Sequence, residues 1–486
     1  MDSKRTFNLI GQGLLILFLG AILFKNSQQP QYLNEWDERF HALVAKNLLV
    51  DPSLPRLYKD SAVKYNYDPW YRTVIWLHKP PLFSYQAALV MKVFGDDLWG
   101  YRLNGLFTLA LLIFTFYKVL RLNKLEPWPA LLTASGTLFS LAFLKLSNGV
   151  LGMGQNDLSF ILWISAGVYF AEKARLVGQK ERLKNILFLA LFSALAVLTK
   201  FLVGYLPFLI LGLNAIIYRW HFKYWLAIAL GALVPALAIG SWYAYTYQLA
   251  PELTLSELAY NARHFSESLE SHSQDLFFHL EWFSISFVVP IILGLLLLTL
   301  SLWKGTKAKS ASFMPKAFWA PLLATLFVLT FFTIAKTKLP AFSLVSAPLL
   351  MVMVGVLYRH LALSVGLKAL MWAVPAIGIV WGSVYVLRAD YTNPEKECQQ
   401  AFYSRLGETL PPNAVLFNVE SFNYPEAMFY SGLISYENLP SENWPAEAAA
   451  KGYIPYLLLR GNETEEVLNL FEDRVLTYPC SKSPSL

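Results

Sequence analysis

Charged side chains are scarce in this chain. Asp, Glu, Lys and Arg make up 15% of its 486 residues, against about 25% in a typical soluble domain. With 56% hydrophobic residues and a mean hydropathy of +0.41, that shortage excludes an ordinary soluble protein. Cysteine is scarcer still. Cys398 and Cys480 are the whole complement, so one disulfide is the most the chain can form, and both lie in the tail beyond the apolar region. No internal repeat and no low-complexity segment is evident, which removes the paired halves expected of many transporters. No small-x-small cleavage site precedes Lys25, so the apolar run behind Lys4 and Arg5 reads as a retained first helix rather than a cleaved signal.

What the chain has in abundance is long apolar runs. They recur through residue 388 and predict a polytopic α-helical membrane protein. Eleven spans are expected, at 7–24, 102–120, 128–146, 157–172, 186–199, 201–218, 224–247, 282–303, 317–335, 341–358 and 368–388. The 186–218 run divides in more than one way and 80–94 is ambiguous, so the range is about 11–13 helices. Basic residues collect in alternate loops, among them Arg121, Lys124, Lys180, Arg182, Lys184, Arg219, Lys223, Lys304, Lys307, Lys309 and Lys316. The positive-inside rule makes that side cytoplasmic. The net charge of +7 is therefore a topology signal and not a nucleic-acid one. The other side receives the loop 25–101, the short loop 147–156, the turn at Thr199 and Lys200, the segment 248–281, the turn Lys336-Thr337-Lys338, and the tail from 389.

In the first outer loop, Phe40, Leu43, Val44 and Leu48 follow helical spacing, with His41, Lys46 and Asn47 off that stripe. This predicts a helix lying in the membrane interface from about Asp37. Asp37 and Glu38 fall in its first turn, where the helix dipole favours carboxylates; a capping pair and a catalytic pair are both open. Residues 51–75 are irregular and aromatic, with Pro52, Pro55, Pro69, Trp70 and Tyr71, as suits a loop on a headgroup layer. His78-Lys79-Pro80-Pro81 opens a second helix, Leu82 to Phe94, ended by Gly95. Lys79 either pairs with a lipid phosphate or snorkels.

Further outward polar groups repeat that choice. Asp157 stands at the outer end of a span, as an N-cap or a site residue. Lys336 and Lys338 lie on the side where basic residues are sparse and call for an anionic partner at headgroup level. Lys200 sits at similar depth. His264, His272 and His279 gather near one interface, but their spacings match no short zinc motif. A divalent metal (Zn, Mg or Mn) on His78, His264 and His272 stays open beside plain polar histidines.

Taken in order, these residues resemble a known family. An Asp-Glu pair follows span one, then Lys-Pro-Pro-Leu, then Phe94-Gly95 and Arg102-Leu103. An outer Asp, Leu198-Thr199-Lys200, and Lys-x-Lys-Leu-Pro-Ala-Phe complete the set. The chain is similar, over most of residues 30–350, to the C-type (GT-C) membrane glycosyltransferases of the protein mannosyltransferase and lipid A aminoarabinose transferase group. The resemblance implies transfer of a sugar from a polyprenyl-phosphate carrier to a lipid, glycan or protein acceptor, on the periplasmic face of a bacterial inner membrane, with inversion. It matches Asp37 to the family's key carboxylate, as general base on an acceptor hydroxyl or as the group that orients the acceptor, with Glu38 and Asp157 as further catalytic candidates. Lys79, Arg102, Lys200, Arg263, Lys336 and Lys338 would meet the donor phosphate, with Arg263 or His264 filling the family's basic Arg-Phe position. His78 stands where the aminoarabinose transferases usually carry Glu. A transporter or flippase and a non-catalytic envelope scaffold are the alternatives; in the latter Asp37 tolerates Ala.

After Arg388 the composition changes. A helix at 394–410, strands at 415–419, 456–460 and 475–478, and a helix at 462–471 capped by Asn462 predict a small α/β domain at 389–486 outside the membrane, following a glycosyltransferase domain at 1–388. Cys398 and Cys480 are open as a disulfide or as two thiols.

Overall fold

The computed structural model describes residues 3–64, 70–151, 154–270, 272–307, 314–361, 365–471 and 473–480; Pro69 and Lys309 of the expectations above lie outside them. The chain divides into two compact units. One comprises Met1–Ser27, Gly105–Ser147 and Gln155–Ala389; the other comprises Gln28–Asn104, Asn148–Gly154 and Asp390–Leu486. The first long loop thus shares a unit with the C-terminal segment.

The first unit is helical and apolar. Among the described residues seven helices are long and apolar enough to cross a membrane, or up to nine if two sharply bent pairs each count as one span. This makes a multi-pass membrane protein. The bent pairs are Pro127–Leu138 with Leu141–Ser147, at 69°, and Phe278–Ser286 with Val288–Trp303, at 84°; both stand where single spans were expected. The expected spans 186–199 and 201–218 form one 39-residue apolar stretch, Gln179–Ile217, interrupted by a 3-10 segment at Phe201–Tyr205. The helix Gln155–Leu176, expected as a span, falls short in apolarity. It is buried almost all round and encloses Glu172. In contrast only 11% of the apolar window of Phe222–Leu249 is buried, so most of that helix offers its surface to lipid. The helix Pro127–Leu138 approaches Val365–Arg388 closely enough that a Cβ on Gly136 would lie 2.6 Å from the Pro375 carbonyl oxygen. Small residues permit such backbone contact where dispersion, rather than the hydrophobic effect, holds helices together.

The second unit carries a four-stranded sheet: β1 (Ala414–Phe417), β2 (Ile434–Ser435), β3 (Ile454–Leu459) and β4 (Val475–Thr477). The order is β2-β1-β3-β4 and every pairing is parallel. The central β1 is buried at all four positions, as a strand covered on both faces must be. β2, only two residues long, carries no readable alternation and was not foreseen. The late helix is shorter than expected, Glu465–Asn469, and Thr464 caps it by accepting from the Val467 N–H at 3.4 Å. Asn462 does not cap; its side chain pairs with that of Asn418 at 2.9 Å. Cys398 and Cys480 form a disulfide, Cα to Cα 5.7 Å.

Two loop helices complete this unit. Asp37–Val50 buries Phe40, Leu43, Val44 and Leu48 as expected, but also His41 and Asn47. It is enclosed by protein, because Asn47 donates to the Arg56 and Leu57 carbonyls at 3.1 and 3.0 Å and Lys46 donates to the Phe429 carbonyl at 2.9 Å. Leu82–Phe94 settles the ambiguous stretch. Its 13 residues make about 20 Å of helix, too short to cross a core of about 30 Å. Leu89, Val93 and Phe94 are exposed on it, an apolar surface of the kind that interfacial helices carry.

Candidate active site

The loop helix begins abruptly. Trp36 takes φ 62 at its N-cap and offers no side-chain cap. Asp37, Glu38 and Arg39 follow as the first turn, and successive side chains leave a helix about 100° apart. The three therefore meet different surroundings, and their environments separate their chemistry.

Glu38 is buried, 1% exposed, and forms a two-pronged ion pair with the equally buried Arg102: Nε to Oε1 at 2.8 Å and Nη2 to Oε2 at 2.9 Å. Its Oε2 also accepts from the Asn34 backbone and side-chain N–H groups, both at 2.7 Å. Arg102 donates to the Tyr32 carbonyl at 2.8 Å and to the Pro30 carbonyl. Such fork geometry is strong and directional. It ties the entry to the helix to the start of Leu98–Leu122. Gly149 lies against this pair with φ +78, and a Cβ there would come within 2.6 Å of Glu38 Cδ. Both expected roles, Glu38 as catalyst and Arg102 as phosphate ligand, meet groups whose hydrogen-bonding capacity is already engaged.

Asp37 is only half-buried. Its Oδ2 accepts the Gly154 backbone N–H at 3.1 Å. Nearby in the chain, Glu35 pairs with Lys396 at 3.0 Å, and that hydrogen bond holds its carboxyl below the usual range.

In the same unit His78 is buried, stacked face to face on Trp70 at 4.0 Å and 14°. Lys79 Nζ lies 3.1 Å from His78 Nε2. An ammonium has three donors and no acceptor, so the imidazole Nε2 accepts and the ring presents Nδ1–H. The ammonium is thus aimed by a neighbour that is itself fixed by stacking, and its remaining N–H bonds can serve an anion.

In the helical unit, Asp157 lies in the first turn of Gln155–Leu176 and forms a partly buried ion pair with Lys200, whose Nζ also sits 5.0 Å over the Phe342 ring. Lys336 is exposed, whereas Lys338 is buried and donates to the Asp275 carbonyl at 2.7 Å. The turn holding them is laced to the last turn of Pro251–Ser266 and to the segment after it. Lys336 N donates to the Phe265 carbonyl, Thr337 N to that of His264, and Lys338 N to that of His272, each at 3.1 Å. Arg263 is engaged with Glu267 at 2.7 Å on an exposed surface.

The residues do not fit the metal expectation. His264 Nδ1 lies 3.2 Å from Thr337 Oγ1, His272 Nε2 is 3.8 Å from Glu270, and His78 is stacked on Trp70. Among the described residues no group of three or more His, Cys, Asp or Glu side chains could hold an ion.

Four participants were missed from sequence: Asn34, Gly154, Arg39 and Thr337. Asn34 is one helical turn before Glu38 and was within reach of a local reading. The others act through partners distant in the chain and leave no local mark.

Residues 78–243 match the protein family described as dolichyl-phosphate-mannose-protein mannosyltransferase. No curated protein sequence matches the chain. Among solved structures, ArnT from Cupriavidus metallidurans bound to undecaprenyl phosphate is similar, with a TM-score of 0.66, 16% identity, and 95% of this chain and 87% of that one covered. The apo state of the same protein gives TM-score 0.66 and 16% identity over 97% and 90%. The apo oligosaccharyltransferase of Archaeoglobus fulgidus gives TM-score 0.53 and 12% identity over 91% and 68%. The chain thus has the fold of the C-type membrane glycosyltransferases over nearly its whole length, and its likeness to that family stands on this fold and on the match across residues 78–243.

Proposed function

We propose that the chain transfers a sugar from a polyprenyl-phosphate carrier to a lipid, glycan or protein acceptor, on the periplasmic face of a bacterial inner membrane, with inversion at the anomeric carbon. The observation that carries this reading is the separation of the adjacent acids. Glu38 is consumed by Arg102, while Asp37 is half-exposed and steadied by Gly154 N–H. The likeness to ArnT, solved with undecaprenyl phosphate, supports the class of donor.

Asp37 removes the acceptor hydroxyl proton as the hydroxyl oxygen attacks the anomeric carbon. The bond from that carbon to the phosphate oxygen breaks, its electron pair stays on the phosphate, and one in-line displacement inverts the centre. Negative charge grows on the departing phosphate, where a preplaced cation lowers the barrier. Lys79, aimed by His78, is the group assigned to it. Lys336, the exposed lysine of its turn, serves to attract an anionic headgroup.

The test is sugar transfer in membranes containing Asp37→Asn at normal abundance. Turnover should fall by about 10²–10⁴-fold, the usual contribution of a positioned base; unchanged turnover removes the assignment. The lipid profile of a deletion strain separates enzyme from flippase. An enzyme's loss removes a modified product, whereas a flippase's loss leaves unmodified cargo on the inner leaflet.

A further inference from the structure

We propose that Glu426, in the helix Tyr424–Ser431 of the C-terminal segment, is a positioning residue for Asp37 and acts through Arg39. The inference rests on Asp37 being the base of the proposed reaction. It assigns the C-terminal segment a part in catalysis that its own composition does not reveal.

The geometry is direct. Arg39 and Glu426 are 2% and 0% exposed and pair at 3.0 Å, Nη2 to Oε2. Arg39 Nη1 donates to Asn423 Oδ1 at 2.5 Å and to the Phe422 carbonyl at 3.1 Å. The Arg39 backbone N–H closes the first turn on the Trp36 carbonyl at 3.1 Å. Glu38 is held on Arg102 by its two-pronged pair. A helix pinned through two consecutive side chains, about 100° apart around its axis, cannot roll. The direction of the third side chain in that turn, Asp37, is then determined. Releasing one pin frees the roll, and sub-ångström misplacement of a base is costly in rate.

The pin is built to titrate. Burial pushes the Glu426 carboxyl up to about 7, against the pull of Arg39. The charged and titratable groups around it are Arg39 and Glu38 on the loop helix, Glu35 before it, Lys396 and Tyr403 on Pro394–Thr409, Tyr430 on its own helix, and Tyr478 beyond β4. Above pH 7 the ionised carboxylate holds the guanidinium; below it the neutral acid holds it less firmly, and kcat declines.

The experiment is the pH profile of kcat, with KM for the polyprenyl-phosphate sugar, for wild type and Glu426→Gln in the full-length protein reconstituted in liposomes. Glu426→Gln should lose about tenfold in kcat at pH 8, show no limb near pH 7, and keep KM within about twofold, because uniform binding is untouched. Combining Arg39→Gln with Glu426→Gln should lower kcat no further than either change alone. Wild-type kcat with the limb retained, or a raised KM with unchanged kcat, overturns the proposal. Should Glu426→Gln fail to yield folded protein, Asn423→Ala leaves both charges and removes one arm of the grip. It should lower kcat about threefold with the limb preserved, and a wild-type kcat there overturns the proposal equally. Asp37→Asn, run in parallel, keeps the failures apart. If it retains turnover, the functional reading falls; if it is dead while Glu426→Gln is normal, only the positioning role falls.

Discussion

Asp37 and Glu38 are neighbours of nearly the same chemistry, and burial alone gives them different work. Glu38 lost its water and gained Arg102 and Asn34 in exchange. Removing one partner of such a pair leaves the other charged and enclosed, which costs about 3–5 kcal/mol. Glu38→Ala should therefore lower the thermal unfolding midpoint sharply, and lose activity through loss of folded protein. A Glu38→Ala protein of normal midpoint but no turnover would instead make Glu38 a chemical participant. Gly149→Ala should mimic the defect from the other side, since both φ +78 and contact with Glu38 oppose a side chain there. Glu426 adds a pH dependence of the opposite sense to most carboxylates. Its folded value of about 7 exceeds its ordinary 4.5, so the folded state holds a proton the unfolded chain has released. The resulting stabilisation is complete below pH 4.5 and is lost as pH rises through 7. Unfolding measured from pH 5 to 8 should show wild type losing stability that Glu426→Gln does not lose.

At the scale of elements, the turn Lys336-Thr337-Lys338 shows how one hydroxyl can organise a loop. Thr337 Oγ1 donates to the Glu267 carbonyl at 2.8 Å and accepts the Leu269 N–H at 3.1 Å. Thr337→Val keeps the shape and strands both backbone groups, at about 1–3 kcal/mol each. Amide exchange at Leu269 should accelerate markedly in that variant; unchanged protection would show that the backbone bonds of the turn suffice. Helix-forming runs were legible because apolar periodicity and length are local properties. The sharp bends at 139–140 and near Phe287 were not, because each lies inside a run that stays apolar throughout. The cover around the helix Gln155–Leu176 was likewise not legible: periodicity reports apolar character but not whether lipid or protein encloses it.

For the molecule as a whole, the disulfide closes 82 residues of the C-terminal segment. Cross-linking a loop of that length restricts the unfolded chain, and its removal typically costs about 2–5 kcal/mol. The double change Cys398→Ser and Cys480→Ser should lower the unfolding midpoint as much as reductant lowers that of wild type. A midpoint indifferent to reductant would show that the parallel sheet holds without it. Its formation suits an oxidising compartment. The membrane class, the extent of most apolar helices and three of the four strands were readable before any fold was known, since each depends on composition or on neighbours within a few residues. By itself the sequence determined that the chain crosses a membrane many times and ends in an α/β segment. Tertiary structure alone decided which acid of an adjacent pair is spent on holding the chain, which arginine is enclosed, and that the first loop and the C-terminal segment share one unit. Those outcomes depend on burial and on partners hundreds of positions away, which strengthen or silence a charge without altering the residues beside it.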